Sequence, residues 1–206
     1  MLTIWGRMNS INVQKVVWAA EELGLPYQRH EAGMAFGVVD TPEYRAMNPN
    51  GLVPVIRDGD LVLWESNAIV RYLCARHGAG SLWPADPAVR ASSDKWMDWQ
   101  TSAFYPAYAP AFMNLVRTPP EKRDMAAVEA SRAKTGALTA LLDAHLAGRD
   151  FLGDGGFGIG DLALGPAMDR WMRMPVAREP RPHLEAWWRR VTARPAASCF
   201  ASLPVT

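Results

Sequence analysis

The sequence predicts an α/β domain followed by an all-helical domain. Three observations carry that prediction. Up to His77, short apolar runs alternate with helical segments in the order strand, helix, strand, helix, hairpin, helix. A Gly/Pro-rich stretch, Gly78 to Pro87 (GAGSLWPADP), then interrupts the pattern. Beyond it the patterning is helical only. The domains are therefore drawn at residues 1–78 and 88–206. A strand–helix–strand unit implies a right-handed parallel crossover, and an added hairpin makes the sheet mixed.

Each element has a local cause. Leu2 to Trp5 is a short apolar strand closed by Gly6, and Arg7 to Asn12 (RMNSIN) is a polar loop. The next helix places Val13, Val16, Val17 and Ala20 on one face. Gly24 and Pro26 end it, the first by taking a left-handed turn, the second by refusing a helical bond. Tyr27 to Glu31 reads as a second strand, and Ala32 to Asp40 has no clear period. Thr41-Pro42 reads as a cap and first-turn proline on a short helix. Val53 to Arg57 and Leu61 to Trp64, joined through Gly59 and its flanking aspartates, read as a hairpin. A helix then runs from Glu65-Ser66 to His77-Gly78. In the second domain a long helix covers Ala88 to about Val116, with Pro106 and Pro110 expected to kink it or loosen its ladder. Pro119-Pro120 is expected to start a helix running to about Ala147. Asp161 to about Met174 and His183 to Thr192 read as two more.

Composition excludes several classes. The 206 residues are 49% hydrophobic, enough for a real core, and the net charge of +1 makes no electrostatic case for nucleic acid or an anionic membrane. Cys74 and Cys199 stand far apart, which argues against a disulfide framework and for a reducing compartment. The four histidines show no ligand spacing, so no metal is expected. No apolar run approaches a membrane span, and Arg7 breaks the apolar start. A cytoplasmic location is expected.

The stretch Asn48 to Leu73 draws attention for binding. Val53-Pro54 puts a residue without an N–H at a strand start, which suits an edge or a cis bond. Glu65-Ser66 brings a carboxylate, a hydroxyl and free N–H groups to a helix start. Alone, the stretch is equally compatible with an ordinary hairpin and a Ser cap. Read with Ser10-x-Asn12, Glu22-Leu23-Gly24-Leu25-Pro26-Tyr27, Asn48-Pro49-x-Gly51-x-Val53-Pro54, Gly160-Asp161 and Leu184-x-Ala186-Trp187, the whole chain resembles a soluble glutathione S-transferase. In that family a thioredoxin-like βαβαββα domain precedes an all-helical one. The Ser-x-Asn motif is similar to the bacterial serine-type, theta-, phi- or nu-like branch.

What the resemblance implies is thiolate chemistry. A thiol of pKa about 8.5 is only a few per cent ionised at neutrality, and the thiolate is the nucleophile. Lowering that pKa by about two units requires roughly 2.7 kcal/mol of anion stabilisation. A donated hydroxyl hydrogen bond and a helix N-terminus can each contribute. The resemblance assigns the hydroxyl to Ser10 with Asn12 in support; a bare helix cap is the structural alternative. Trp5 stands where other branches would need a tyrosine, and RMNSIN has no thiol for mixed-disulfide chemistry. The resemblance also implies that Val53 pairs its backbone with the cysteinyl unit and that Pro54 is cis. Glu65 would take the γ-glutamyl ammonium and Ser66 the γ-glutamyl carboxylate. Leu52 departs from the Lys or Gln of many relatives, leaving the glycyl carboxylate to Arg7, Arg45 or backbone groups. Met8, Tyr105, Tyr108, Phe112 and Trp171 are candidate walls for an apolar electrophile between the halves, and helix core is the alternative for each. Gly158-x-x-Asp161 keeps the acid of a capping box without its hydroxyl, and Asp161 reads as structural. The expected protein is a homodimeric detoxifying enzyme using glutathione as co-substrate, with no resident cofactor. A glutathione-dependent peroxidase or reductase and a non-enzymatic glutathione-binding module are the other readings.

Overall fold

The computed structural model describes all 206 residues, divided into two compact units. The first comprises Met1–Trp83 together with Pro195–Leu203. Its elements are β1 (Leu2–Trp5), α1 (Ile11–Glu22), β2 (Tyr27–His30), α2 (Pro42–Met47), β3 (Val55–Asp58), β4 (Leu61–Trp64) and α3 (Ser66–His77). The strands lie in the order β2-β1-β3-β4. β1 and β2 are parallel with Leu2 opposite Tyr27; β3 runs antiparallel to both β1 and β4. This is the mixed sheet expected from a crossover plus a hairpin. One face of the unit buries Ile4, Val13, Val16, Val17, Ile56, Ile69 and Leu73 completely or nearly so. A smaller cluster of Ala32, Tyr44 and Val55 packs with Trp5, Val53 and Trp64. β3 starts two residues later than the sequence suggests, since Pro54 has no N–H to give a ladder.

The closing segment of the first unit was not anticipated. A 3₁₀ turn at Pro195–Ala197 and the short helix α9 (Ser198–Ala201) pack on α1, with the Phe200 ring 5.0 Å from that of Trp18.

The second unit comprises Pro84–Arg194 and Pro204–Thr206. Its helices are α4 (Pro87–Trp99), α5 (Tyr105–Phe112), α6 (Met125–Leu146), α7 (Ile159–Arg173) and α8 (Pro182–Thr192). The prolines of the long helix do not break it. The backbone widens instead into π-helical turns at Gln100–Phe104 and Met113–Arg117, flanking the α5 segment that holds Pro106 and Pro110. Pro119-Pro120 opens only a 3₁₀ turn; α6 starts at Met125, where the Asp124 carboxylate accepts from the Ala127 N–H at 2.9 Å. The cap, rather than the rigid prolines, decides where the helix begins. No helix is long and apolar enough to cross a membrane.

Candidate active site

The loop between β1 and α1 is held from several sides. Gly6 donates to the His30 carbonyl and accepts from Arg29 Nη1 at 2.7 Å. The buried Gln14 side chain donates to the Met8 carbonyl at 2.8 Å, and the Ser10 N–H donates to the Arg7 carbonyl. Ser10 occupies the N-cap position of α1 with extended backbone, yet its hydroxyl makes no capping bond to the first turn. The cap alternative is therefore not used. A hydroxyl stands at the positive end of a 12-residue helix, an arrangement that favours an anion.

Asn12 and Ser66, 54 residues apart, are brought together: Ser66 Oγ donates to Asn12 Oδ1 at 3.3 Å. One turn along α1, Lys15 Nζ donates to Asn67 Oδ1 at 3.2 Å. The residue before this pair, Glu65, is exposed and has a left-handed φ of 71°. A non-glycine residue pays about 1–3 kcal/mol for that conformation, so its surroundings hold it there. Lys15 and Asn67 lack any motif signature, and sequence reading passed over both.

The Val53–Pro54 peptide is cis. The loop before it is built by Asn48, which is 3% exposed: its amide donates to the Leu52 carbonyl at 2.8 Å and its carbonyl accepts from the Asn50 N–H. The Tyr44 hydroxyl donates to the same Leu52 carbonyl at 2.8 Å. Val53 is thus presented ahead of the ladder, which begins at Val55. Of the two cations considered for a glycyl carboxylate, Arg45 bonds Asp40 Oδ1 at 2.6 Å and the Pro49 carbonyl at 2.8 Å. Arg7 lies against Gly33, where an added Cβ would sit 2.9 Å from Nη1 and 3.4 Å from Val53 Cγ1.

The thiols of this unit are buried or half-buried, and its tyrosine hydroxyls have partners of their own. Burial pushes the Cys74 and Cys199 thiols up to about 12, so neither is a thiolate near neutrality. The tyrosine hydroxyls bond Glu21 (Tyr27), the Leu52 carbonyl (Tyr44) and Asp58 (Tyr72).

In the helical unit, Tyr108, Phe112 and Trp171 are at most 7% exposed, whereas Tyr105 is 43% exposed and meets Tyr108 edge-on at 5.7 Å. Phe112 carries the Arg170 guanidinium over its ring at 4.3 Å. Trp171 lines a cavity of about 500 Å³ with Thr139, Leu184 and Trp188. Met8 belongs to the other unit. Asp161 is fully buried and accepts from the Gly158 and Leu152 N–H groups and from Trp187 Nε1 at 2.7 Å. The hydroxyl missing from the capping box comes from another helix: Ser93 Oγ of α4 accepts from the Gly160 N–H at 2.9 Å.

Comparisons with known proteins cover both units. The family model for the glutathione S-transferase N-terminal domain matches residues 9–76, and that for the C-terminal domain matches residues 104–195. Glutathione S-transferase GstB of Escherichia coli (strain K12) is 48% identical over the full length of both chains. Glutathione S-transferase 3 of Zea mays is 32% identical over 99% of this chain and 95% of its own. Among solved structures, the theta class glutathione S-transferase of Xanthomonas axonopodis pv. citri, with glutathione bound, matches with a TM-score of 0.96 at 49% identity. That match covers 100% of this chain and 99% of the other.

Proposed function

The chain belongs to the glutathione S-transferase family, and from that premise we propose that Ser10 activates glutathione as its thiolate for attack on small apolar electrophiles. The observation that carries the assignment is the Ser10 hydroxyl, placed at the N-terminus of α1 and not consumed by capping. The hydroxyl donates to the sulfur, and the first-turn N–H groups add the helix field. Together they supply the roughly 2.7 kcal/mol that a two-unit fall in thiol pKa requires. Glutathione is a co-substrate here, not a resident cofactor.

The rest of the tripeptide follows from the same frame. Val53 pairs with the cysteinyl backbone as an added strand. Glu65 takes the γ-glutamyl ammonium, and Ser66, held by Asn12, takes the γ-glutamyl carboxylate. The glycyl carboxylate is left to Arg7, which lies beside Gly33 and Val53, to Arg45 or to backbone groups. Met8, Tyr105, Tyr108, Phe112 and Trp171 are the proposed electrophile walls; of the four in the helical unit, Tyr105 is the exposed one and meets Tyr108 edge-on. A detoxifying homodimer in the cytoplasm completes the reading; sedimentation should give about 45 kDa, twice the chain's 22.7 kDa.

Ultraviolet titration of the bound thiolate tests the mechanism. Wild type should show an apparent thiol pKa of about 6.5, and Ser10→Ala, which keeps the helix field, a value raised by about one unit or more with roughly tenfold to a hundredfold lower kcat/KM. An unchanged pKa in Ser10→Ala overturns the assignment.

A further inference from the structure

We propose that Lys15 is a positioning residue for γ-glutamyl recognition, holding Glu65 and Asn67, the residues that flank Ser66, so that Glu65 keeps its binding conformation, without itself touching glutathione. The inference rests on the reading that the γ-glutamyl ammonium lies at Glu65. Lys15 is 1% exposed, on a helix whose surrounding residues from Ile11 to Ala20 are almost all buried. A lysine so placed has no solvation of its own and is costly to keep unless it serves a partner. Its Nζ reaches Asn67 Oδ1 at 3.2 Å. Asn12, three residues earlier on α1, reaches Ser66 from the same helix. Two adjacent residues at the start of α3 are thus bolted to one face of α1.

The residue just before this pair explains why a bolt is needed. Glu65 has φ 71° and ψ 109°, and its side chain makes no capping bond to α3. Nothing in its own local structure favours that conformation. Burial lowers the Lys15 pKa and the Glu65 carboxylate raises it, leaving it at about 7. The attraction is mutual, so the ammonium pulls on Glu65 as well as bonding Asn67. Lys15 therefore acts through the two residues that flank Ser66.

Binding of two ligands to the purified full-length protein separates this role from simple stabilisation. One ligand is glutathione; the other is its deaminated analogue, in which hydrogen replaces the γ-glutamyl ammonium. Wild type should prefer glutathione by about tenfold in calorimetry. Lys15→Met should abolish the preference, raising the Kd for glutathione about tenfold while leaving that for the analogue within about twofold. The KM for glutathione should rise likewise, with kcat at saturation retained, since the thiolate is activated at Ser10. Asn67→Leu, a substitution at the half-buried helix start, should reproduce the loss if Lys15→Met fails to fold. Equal weakening of both ligands, or an unchanged preference in a folded variant, overturns the proposal. Failure of wild type to bind glutathione at all would instead overturn the glutathione reading, and this inference with it.

Discussion

Asp161 shows how much one buried side chain carries. It accepts from two backbone N–H groups and one indole N–H, so Asp161→Ala would orphan three buried donors. At about 1–3 kcal/mol each, and about 2–4 °C per kcal/mol for a chain of this size, Tm should fall by at least about 6 °C and by up to roughly 36 °C. Turnover below the new transition should survive; a normally folded but inactive variant would contradict the structural role. Burial also raises this carboxyl from 3.8 to about 6. The folded state therefore keeps a proton that the unfolded chain has already released between these values. Its contribution to stability is complete below about 4 and declines as pH rises to about 6. Asp161→Asn cannot titrate, so calorimetry across that window should show wild type losing stability relative to it as pH rises. At this scale the sequence was informative where chemistry is local. Ser10, Asn12, Glu65 and Ser66 stand out as candidates by residue type at a helix start together with the family resemblance. Lys15 does not, because a lysine amid apolar residues looks like any surface lysine until its partner, 52 residues away, is known.

At the scale of elements, β1 and β4 and most helix ends were legible because glycine, proline and periodicity mark them. The misplacements share a cause: a proline or a cap outweighed apolar pattern. The β3 ladder waits for Val55, and α6 waits for the Asp124 cap. The start of α7 was legible as a capping box lacking its hydroxyl, but not the Ser93 that completes it from α4. That contact makes a quantitative test. Ser93→Ala leaves the Gly160 N–H without its acceptor and should cost about 1–2 kcal/mol. Gly160→Ala gains about 1 kcal/mol in helix propensity. Its Cβ, however, would lie 2.5 Å from the Ser93 backbone oxygen, which cannot swing aside. Overpacking against a backbone atom costs about 1–3 kcal/mol, a net loss of up to about 2 kcal/mol after the propensity gain, so both variants should unfold at lower urea than wild type.

At the scale of the molecule, the chain does not simply leave its first unit at the linker. Residues Pro195–Leu203 return to it, so the α/β unit is discontinuous in sequence. Two short turns of small residues have no period long enough to reveal this from sequence. Yet the return places Phe200, 2% exposed, on the fully buried Trp18 of α1. The helix that presents Ser10, Asn12 and Lys15 is thus packed from behind by the end of the chain. Phe200→Ala should remove about 3–5 kcal/mol of packing, lowering Tm by roughly 6–20 °C, although it is not itself assigned to the site. Glutathione at about 100 times its Kd stabilises a folded site by about 2.7 kcal/mol through mass action. If α1 keeps its place once folded, saturating glutathione should restore about that much stability to Phe200→Ala, as it adds to wild type. A smaller increment in the variant, with a higher Kd, would mean that the terminal segment also shapes the glutathione site rather than only supporting the helix that carries it.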